Sequence, residues 1–271
     1  MTRFAGMRFA KAHACGNDFL IVESACDTAL AKRLCERHTG IGADGVEFFE
    51  QTGPLAGRIR LANSDGSIAE ISGNGTRCVA AWLAHREHTG AGGVITLDTD
   101  AGPRSCRIVE CSGSHFQIAA AMGIPTVAQA QVTLPDKSLV YGIQVSTGNP
   151  HFVIVVNDEN FRAHNRGWTE LGRELCAHEQ FPQQTNVEFV RLISAGEIEI
   201  RIFERGVGPT TSSGTGTCAS AAAAIGFCGG KSPMTVRAPG GSQTVEWSDP
   251  GTEMILTGPA DLIAAGEVLL G

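Results

Sequence analysis

Hydrophobic and polar residues alternate one by one through much of this chain. Ile198, Ile200 and Ile202 sit between Glu197, Glu199 and Arg201, a period of two that predicts a half-buried strand. The 34 glycines supply tight turns between many such short runs, so a strand-dominated fold is expected. Four stretches depart from this alternation and predict helices: Thr28 to Arg37, Gly75 to His88, Glu159 to Glu179 and Thr215 to Phe227.

The chain also repeats itself. Gly16-Asn17-Asp18-Phe19-Leu20-Ile21-Val22 is echoed, with one residue inserted, by Gly148-Asn149-Pro150-His151-Phe152-Val153-Ile154-Val155. Further along each half, Ser72-Gly73-Asn74-Gly75-Thr76 is echoed by Ser213-Gly214-Thr215-Gly216-Thr217. Two motifs recurring in the same order at similar intervals predict two related lobes. The split falls near residues 125 to 140, giving an N-terminal lobe of 1–130 and a C-terminal lobe of 131–271, with the closing strand of one lobe possible from the other.

Each Ser-Gly-x-Gly-Thr segment leads into an Ala-rich stretch and so predicts a helix start. Taken singly, such a segment is an ordinary N-cap after a turn. Taken as a pair, the two offer more, because a helix start carries unpaired N–H groups and about half a positive charge that suit a carboxylate. If the halves face each other, Ser72 and Ser213 flank one ligand from opposite sides. That arrangement suits removal of a proton from one face of a carbon alpha to a carboxylate and its return to the other face, with amides stabilising the carbanion. Gly214-x-Gly216-x-x-Ala219 also fits a dinucleotide-binding fingerprint, but the surrounding pattern is not strand-helix-strand and no acidic residue follows about twenty positions on. No phosphate-binding Gly-Lys-Ser/Thr is present.

Composition narrows the partners. A net charge of −7 with no basic cluster argues against nucleic acid and for a small molecule. Nine cysteines without a Cys-x-x-Cys pair suggest neither a disulfide framework nor a metal site. No apolar run is long enough for a signal peptide core or a membrane span, so a cytoplasmic location and no membrane partner are expected.

Five further motifs carry a resemblance. His13-Ala14-Cys15-Gly16-Asn17-Asp18-Phe19, Arg37-His38-Thr39-Gly40-Ile41-Gly42-Ala43-Asp44-Gly45, Asn63-Ser64-Asp65-Gly66-Ser67, Gly148-Asn149-Pro150-His151 and Glu204-Arg205-Gly206-Val207-Gly208 resemble the diaminopimelate epimerase family essentially from end to end. The resemblance implies an α/β fold of two pseudo-symmetric domains, each a mostly antiparallel strand barrel around a central helix, with the active site in the interdomain cleft. It implies conversion of LL- to meso-2,6-diaminopimelate in lysine biosynthesis, without a cofactor, by a homodimer. Substrate-binding positions carry over as Asn17, Gly45, Asn63, Asn149, Asn186, Glu204 and Arg205, with the amides of Gly73, Asn74, Gly214 and Thr215. At Gly45 some family members place a glutamine. An Arg–carboxylate and a Glu–ammonium pair among Asn amides is a chemically apt set for the unreacting amino-acid centre. His151 and Glu204 fall where the family tunes its two acid/base groups.

Those two groups are cysteines in the family, and here they are Ser72 and Ser213. A thiol near pKa 8.5 can be brought to neutrality by a helix start and a histidine, whereas a hydroxyl is a far weaker acid. Epimerisation much slower than that of a cysteine enzyme, or none, is therefore expected. Pro209 and Ser212 also depart from the family pattern, which favours a native variant over an engineered one. A related isomerase or dehydratase acting alpha to a carboxylate, and a non-catalytic amino-acid-binding homologue, are the alternatives.

Overall fold

The computed structural model describes residues 6–269. These divide into two compact units, one made of the described residues up to Ala120 together with those from Gly258 onwards, the other of Ala121–Thr257.

The first unit contains β1 (Met7–Ala14), β2 (Asn17–Val22), α1 (Thr28–Cys35), β3 (Gly45–Gly53), β4 (Ala56–Asn63), the short β5 (Ile68–Ala69), α2 (Gly73–Arg86), β6 (Val94–Thr99), β7 (Gly102–Ser112) and β8 (His115–Ala121). The second contains β9 (Thr126–Thr133), β10 (Leu139–Ser146), β11 (Pro150–Val155), α3 (Trp168–Cys176), β12 (Asn186–Ser194), β13 (Glu197–Glu204), β14 (Gly208–Thr210), α4 (Gly214–Phe227), β15 (Met234–Ala238) and β16 (Gly241–Glu246). The last strand, β17 (Ile255–Val268), runs from the second unit into the first.

The repeat in the sequence is a repeat in topology. β1 and β2 form an antiparallel hairpin, α1 crosses over to β3 parallel to β2, β3 and β4 pair antiparallel, and α2 leads to β6 parallel to β4. β10 to β15 do the same in the same order, with α3 and α4 as the two crossings. In the first unit β7 joins β6 to β8, and β17 pairs with both β8 and β1, which closes the ladder into a barrel. In the second unit β9 and β16 flank the series, and the Met122 and Met254 amides donate across to Met254 and Gly123 carbonyls.

Each barrel wraps a helix. Residues Gly73 to Ala84 of α2 are buried apart from Trp82, and Gly214 to Ala224 of α4 are buried throughout, as expected of a helix covered on all sides rather than along one stripe. Small side chains make this possible, since Ala80, Ala81 and Ala221 to Ala224 let strands approach closely. The outer helices α1 and α3 cover the other face of the sheet: Val46 and Phe48 of β3 pack with Leu34 of α1, and Val187 and Phe189 of β12 with Leu171 and Leu175 of α3. The alternate residues of β3 point toward α2, where Phe49 meets Trp82 edge-on at 5.1 Å between ring centroids.

The predicted helix Glu159 to Glu179 is corrected to Trp168–Cys176. Its first part is held as turns: Asp158 accepts from the amides of Asn160 and Arg162, and Phe161, His164 and Asn165 adopt left-handed backbone that a helix cannot contain.

Candidate active site

The two Ser-Gly-x-Gly segments open α2 and α4. Ser72 and Ser213 both sit at the N-cap with extended backbone, and each hydroxyl accepts from the glycine amide three residues on, at 3.1 Å from Gly75 and 3.2 Å from Gly216. The capping reading of these serines is thus correct locally, and it also fixes where each hydroxyl lies relative to its helix start.

In the first unit Asn17, half-buried at the start of β2, donates to Asp44 at 2.9 Å and accepts from Asn74 at 3.1 Å. Asn74 in turn accepts from the wholly buried Arg77 at 2.8 Å. This chain of amides ties the β1–β2 turn to the start of α2. Asn63 closes the loop after β4 through the Ser67 hydroxyl at 3.0 Å. Gly45 begins β3, and a Cβ there would press on Leu61 and the Ala62 carbonyl at 3.0 and 3.1 Å, so the glutamine side chain of some family members has no room without local shifts.

In the second unit the counterpart of Asn17 is Asn149, which donates to Thr215 at 3.2 Å. Fully buried His151 bridges the Asn149 carbonyl oxygen at 2.9 Å through Nε2 and the Glu188 carboxylate at 2.8 Å through Nδ1. Burial pushes Glu188 above the usual carboxylate range, and His151 partly offsets this. Asn186 accepts from the Arg205 amide at 3.0 Å and donates to the Pro150 carbonyl, fixing the turn that carries Glu204 and Arg205.

Glu204 ends β13 beside α4. Burial pushes its carboxyl up to about 7; the Ser213 and Thr210 hydroxyls that face it pull it down, and the neighbouring Glu188 charge pushes it further up. A carboxyl poised near neutrality against a serine hydroxyl can take or give a proton at working pH. His151 bonds to Asn149 and Glu188, so its link to the serine runs through neighbours.

Two residues escaped the sequence reading. Glu188 is one, and Glu47 of β3 is the other: they occupy the same place in the repeated topology, opposite Val153 and Ile21 in the parallel pairings. The signal was present as Val46-Glu47-Phe48 and Val187-Glu188-Phe189, spaced as Ser72 is from Ser213. Among the described residues no cluster of three or more His, Cys, Asp or Glu could hold a metal ion, and no helix is long and apolar enough to cross a membrane.

The fold has solved counterparts. A hydroxyproline epimerase from Agrobacterium vitis superposes with a TM-score of 0.74 at 16% identity, covering 97% of this chain and 90% of its own. A predicted epimerase from Pseudomonas aeruginosa gives 0.73 at 18%, covering 98% and 100%. Twin lobes of this topology, each opening a buried helix on a capped glycine turn, place the chain in the fold class of these two proteins. Within that class the diaminopimelate epimerase profile matches residues 9–127 and 143–263. Relatives called diaminopimelate epimerase from Synechocystis (36% identity over 96% of this chain and 98% of theirs) and Pseudomonas fluorescens (35% over 97% and 99%) align almost throughout. The chain belongs to the diaminopimelate epimerase family.

Proposed function

We propose that the chain acts on 2,6-diaminopimelate, interconverting the LL and meso forms by moving a proton at one α carbon, with Ser72 and Ser213 at the two acid/base positions. Full-length similarity to epimerases supports the substrate. The observation that carries the chemistry is the Ser213 hydroxyl seated at the α4 start against Glu204, whose carboxyl is raised to about 7. The amides at the two helix starts, Gly214 and Thr215 of α4 and Gly73 and Asn74 of α2, suit the α-carboxylate as charge moves onto it. Glu204 and Arg205 suit the ammonium and carboxylate of the unreacting centre. The reading extends to a cytoplasmic enzyme of lysine biosynthesis working as a homodimer.

Serine at both positions favours a second reading, a pocket that binds the amino acid with little turnover. One experiment separates the two. Incubating the purified protein with LL-diaminopimelate in heavy water should give deuterium at the α carbon and slow appearance of the meso form; binding by calorimetry with no deuterium uptake selects the second reading, and absence of both sinks the substrate assignment.

A further inference from the structure

Among the described residues Arg77 is the largest side chain that is buried completely. It lies one turn into α2, on a helix that also buries Val79, Ala80, Ala81 and Leu83, and an apolar side chain would pack there at less cost. A guanidinium is not deprotonated in a protein and can only donate, so whatever it points at is held as an acceptor at any pH.

Arg77 Nη2 points at the Asn74 oxygen, three residues back along α2, at 2.8 Å. An asparagine amide takes its orientation from its partners, and here the partner leaves no choice. With Oδ1 on Arg77, the Asn74 NH2 group donates to Asn17 Oδ1 at 3.1 Å. Asn17 is thereby turned as well, and its own Nδ2 meets Asp44 Oδ2 at 2.9 Å. The far end is equally unambiguous. Both Asp44 oxygens accept, Oδ1 from Arg37 at 2.8 Å and Oδ2 also from the Asp18 amide at 3.2 Å. Arg37 in turn shares Asp18 with Lys11, and Lys11 is tied to the Gly42 carbonyl. A group that can only donate and a group that can only accept thus close the two ends of a run of two amides. Turning Asn17 over would set its oxygen against the Asp44 carboxylate and its NH2 against that of Asn74. Glu47, which lies against Gly75 at the same helix start, stands outside this run, since neither of its oxygens has a hydrogen-bond partner among the described residues.

We infer that Arg77 and Asp44 are positioning residues, which act through Asn17 by fixing which end of its amide faces each way. This rests on the diaminopimelate reading, in which Asn17 binds substrate, and deepens it by naming what Asn17 offers. One N–H is spent on Asp44 and one lone pair on Asn74, so one of each is left. That pair matches the carboxylate and the ammonium of an amino acid, whereas a plain dicarboxylate uses only the N–H. The related position in the second unit is set differently. There the Asn149 oxygen accepts from the Thr147 hydroxyl at 3.1 Å and from His151 at 2.9 Å, and its NH2 donates to Thr215. With both lone pairs used, Asn149 meets a ligand only as a donor. Two residues that the repeat makes equivalent are thus given unlike polar faces by their neighbours, and in the first unit Arg77 and Asp44 are those neighbours.

The test is calorimetry of LL-diaminopimelate with wild type, D44N and D44A. D44N keeps the shape of the side chain but must turn an NH2 group toward Arg37 or toward Asn17, so it reverses the polarity of the run. D44A leaves a partly exposed space that water fills as an acceptor. D44N should weaken binding on the order of 10-fold and D44A by less, the opposite of the order that lost packing would give. D44A as weak as D44N or weaker, or D44N binding as wild type does, overturns the inference. NMR of nitrogen-15-labelled protein supplies a reading that needs no ligand. The Asn17 side-chain amide protons of the wild type should exchange with heavy water well below the rate of an exposed asparagine, and D44N should remove that protection. Free exchange at Asn17 in the wild type overturns the inference whatever the protein binds; protection in a wild type that takes up no diaminopimelate leaves the positioning standing and removes the substrate.

Discussion

Replacing Glu47 by Gln should make the protein more stable, and increasingly so as pH rises. Burial raises the Glu47 carboxyl to about 8, against an ordinary value of 4.5. The folded state therefore holds the Glu47 proton more tightly than the unfolded chain does. Stability falls as pH climbs from 4.5 toward 8, is unaffected by this group well below 4.5, and levels off above 8. With about 1.4 kcal/mol per pKa unit, the wild type should lose about 4 kcal/mol relative to the non-titrating E47Q between pH 5 and pH 9. The amides at the α2 start favour the ionised carboxyl, which makes that figure an upper limit. At roughly 2–4 °C per kcal/mol for a chain of this size, the gap in Tm should widen by about 8–16 °C across the interval. Differential scanning calorimetry of both proteins at half-unit steps of pH provides the comparison, because every other titrating group is common to the two. Parallel curves of Tm against pH would refute the argument, since they would mean that Glu47 is ionised in the folded protein at the same pH as in the unfolded one.

Two further outcomes are expected. Restoring both thiols with Ser72→Cys and Ser213→Cys should raise kcat for epimerisation at least about 10-fold, because a thiol near pKa 8.5 ionises far more readily than a hydroxyl at the same helix start; a folded double variant with no gain in a coupled assay argues against diaminopimelate as substrate. Leu175→Ala, which opens the wholly buried contact of α3 with β12, should destabilise by about 2–5 kcal/mol, read as a lower urea midpoint at unchanged slope.

Much of this organisation is legible in the residues because the chain states it twice. The Gly-Asn turns before β2 and β11 and the capped starts of α2 and α4 recur in order, and the alternation of β13 puts Ile198, Ile200 and Ile202 inside, as its period requires. The stretch before α3 misleads because its Glu, Arg and Ala content suits a helix while Asp158 and three left-handed residues commit the backbone to turns. Glu47 and Glu188 are hard to see for a different reason. An acidic residue within an apolar strand reads as a solvent-facing position, and only the covering of both sheet faces by helices turns it inward. The bridge from Asn149 through His151 to Glu188 is equally invisible, since it joins side chains that meet only when β11 and β12 pair in parallel.

The course of β17 bears on how the protein can be assembled. Its first residues pair with β16, while Asp261 to Val268 pair with β1, so the barrel that holds β1 to β8 is sealed by a segment made only after the whole second unit. During synthesis the first unit must therefore wait, with the edges of β1 and β8 open to unwanted pairing, until the second unit and β17 have emerged. A fragment ending at Ala120 would lack the strand that seals its barrel, however closely the two units echo one another.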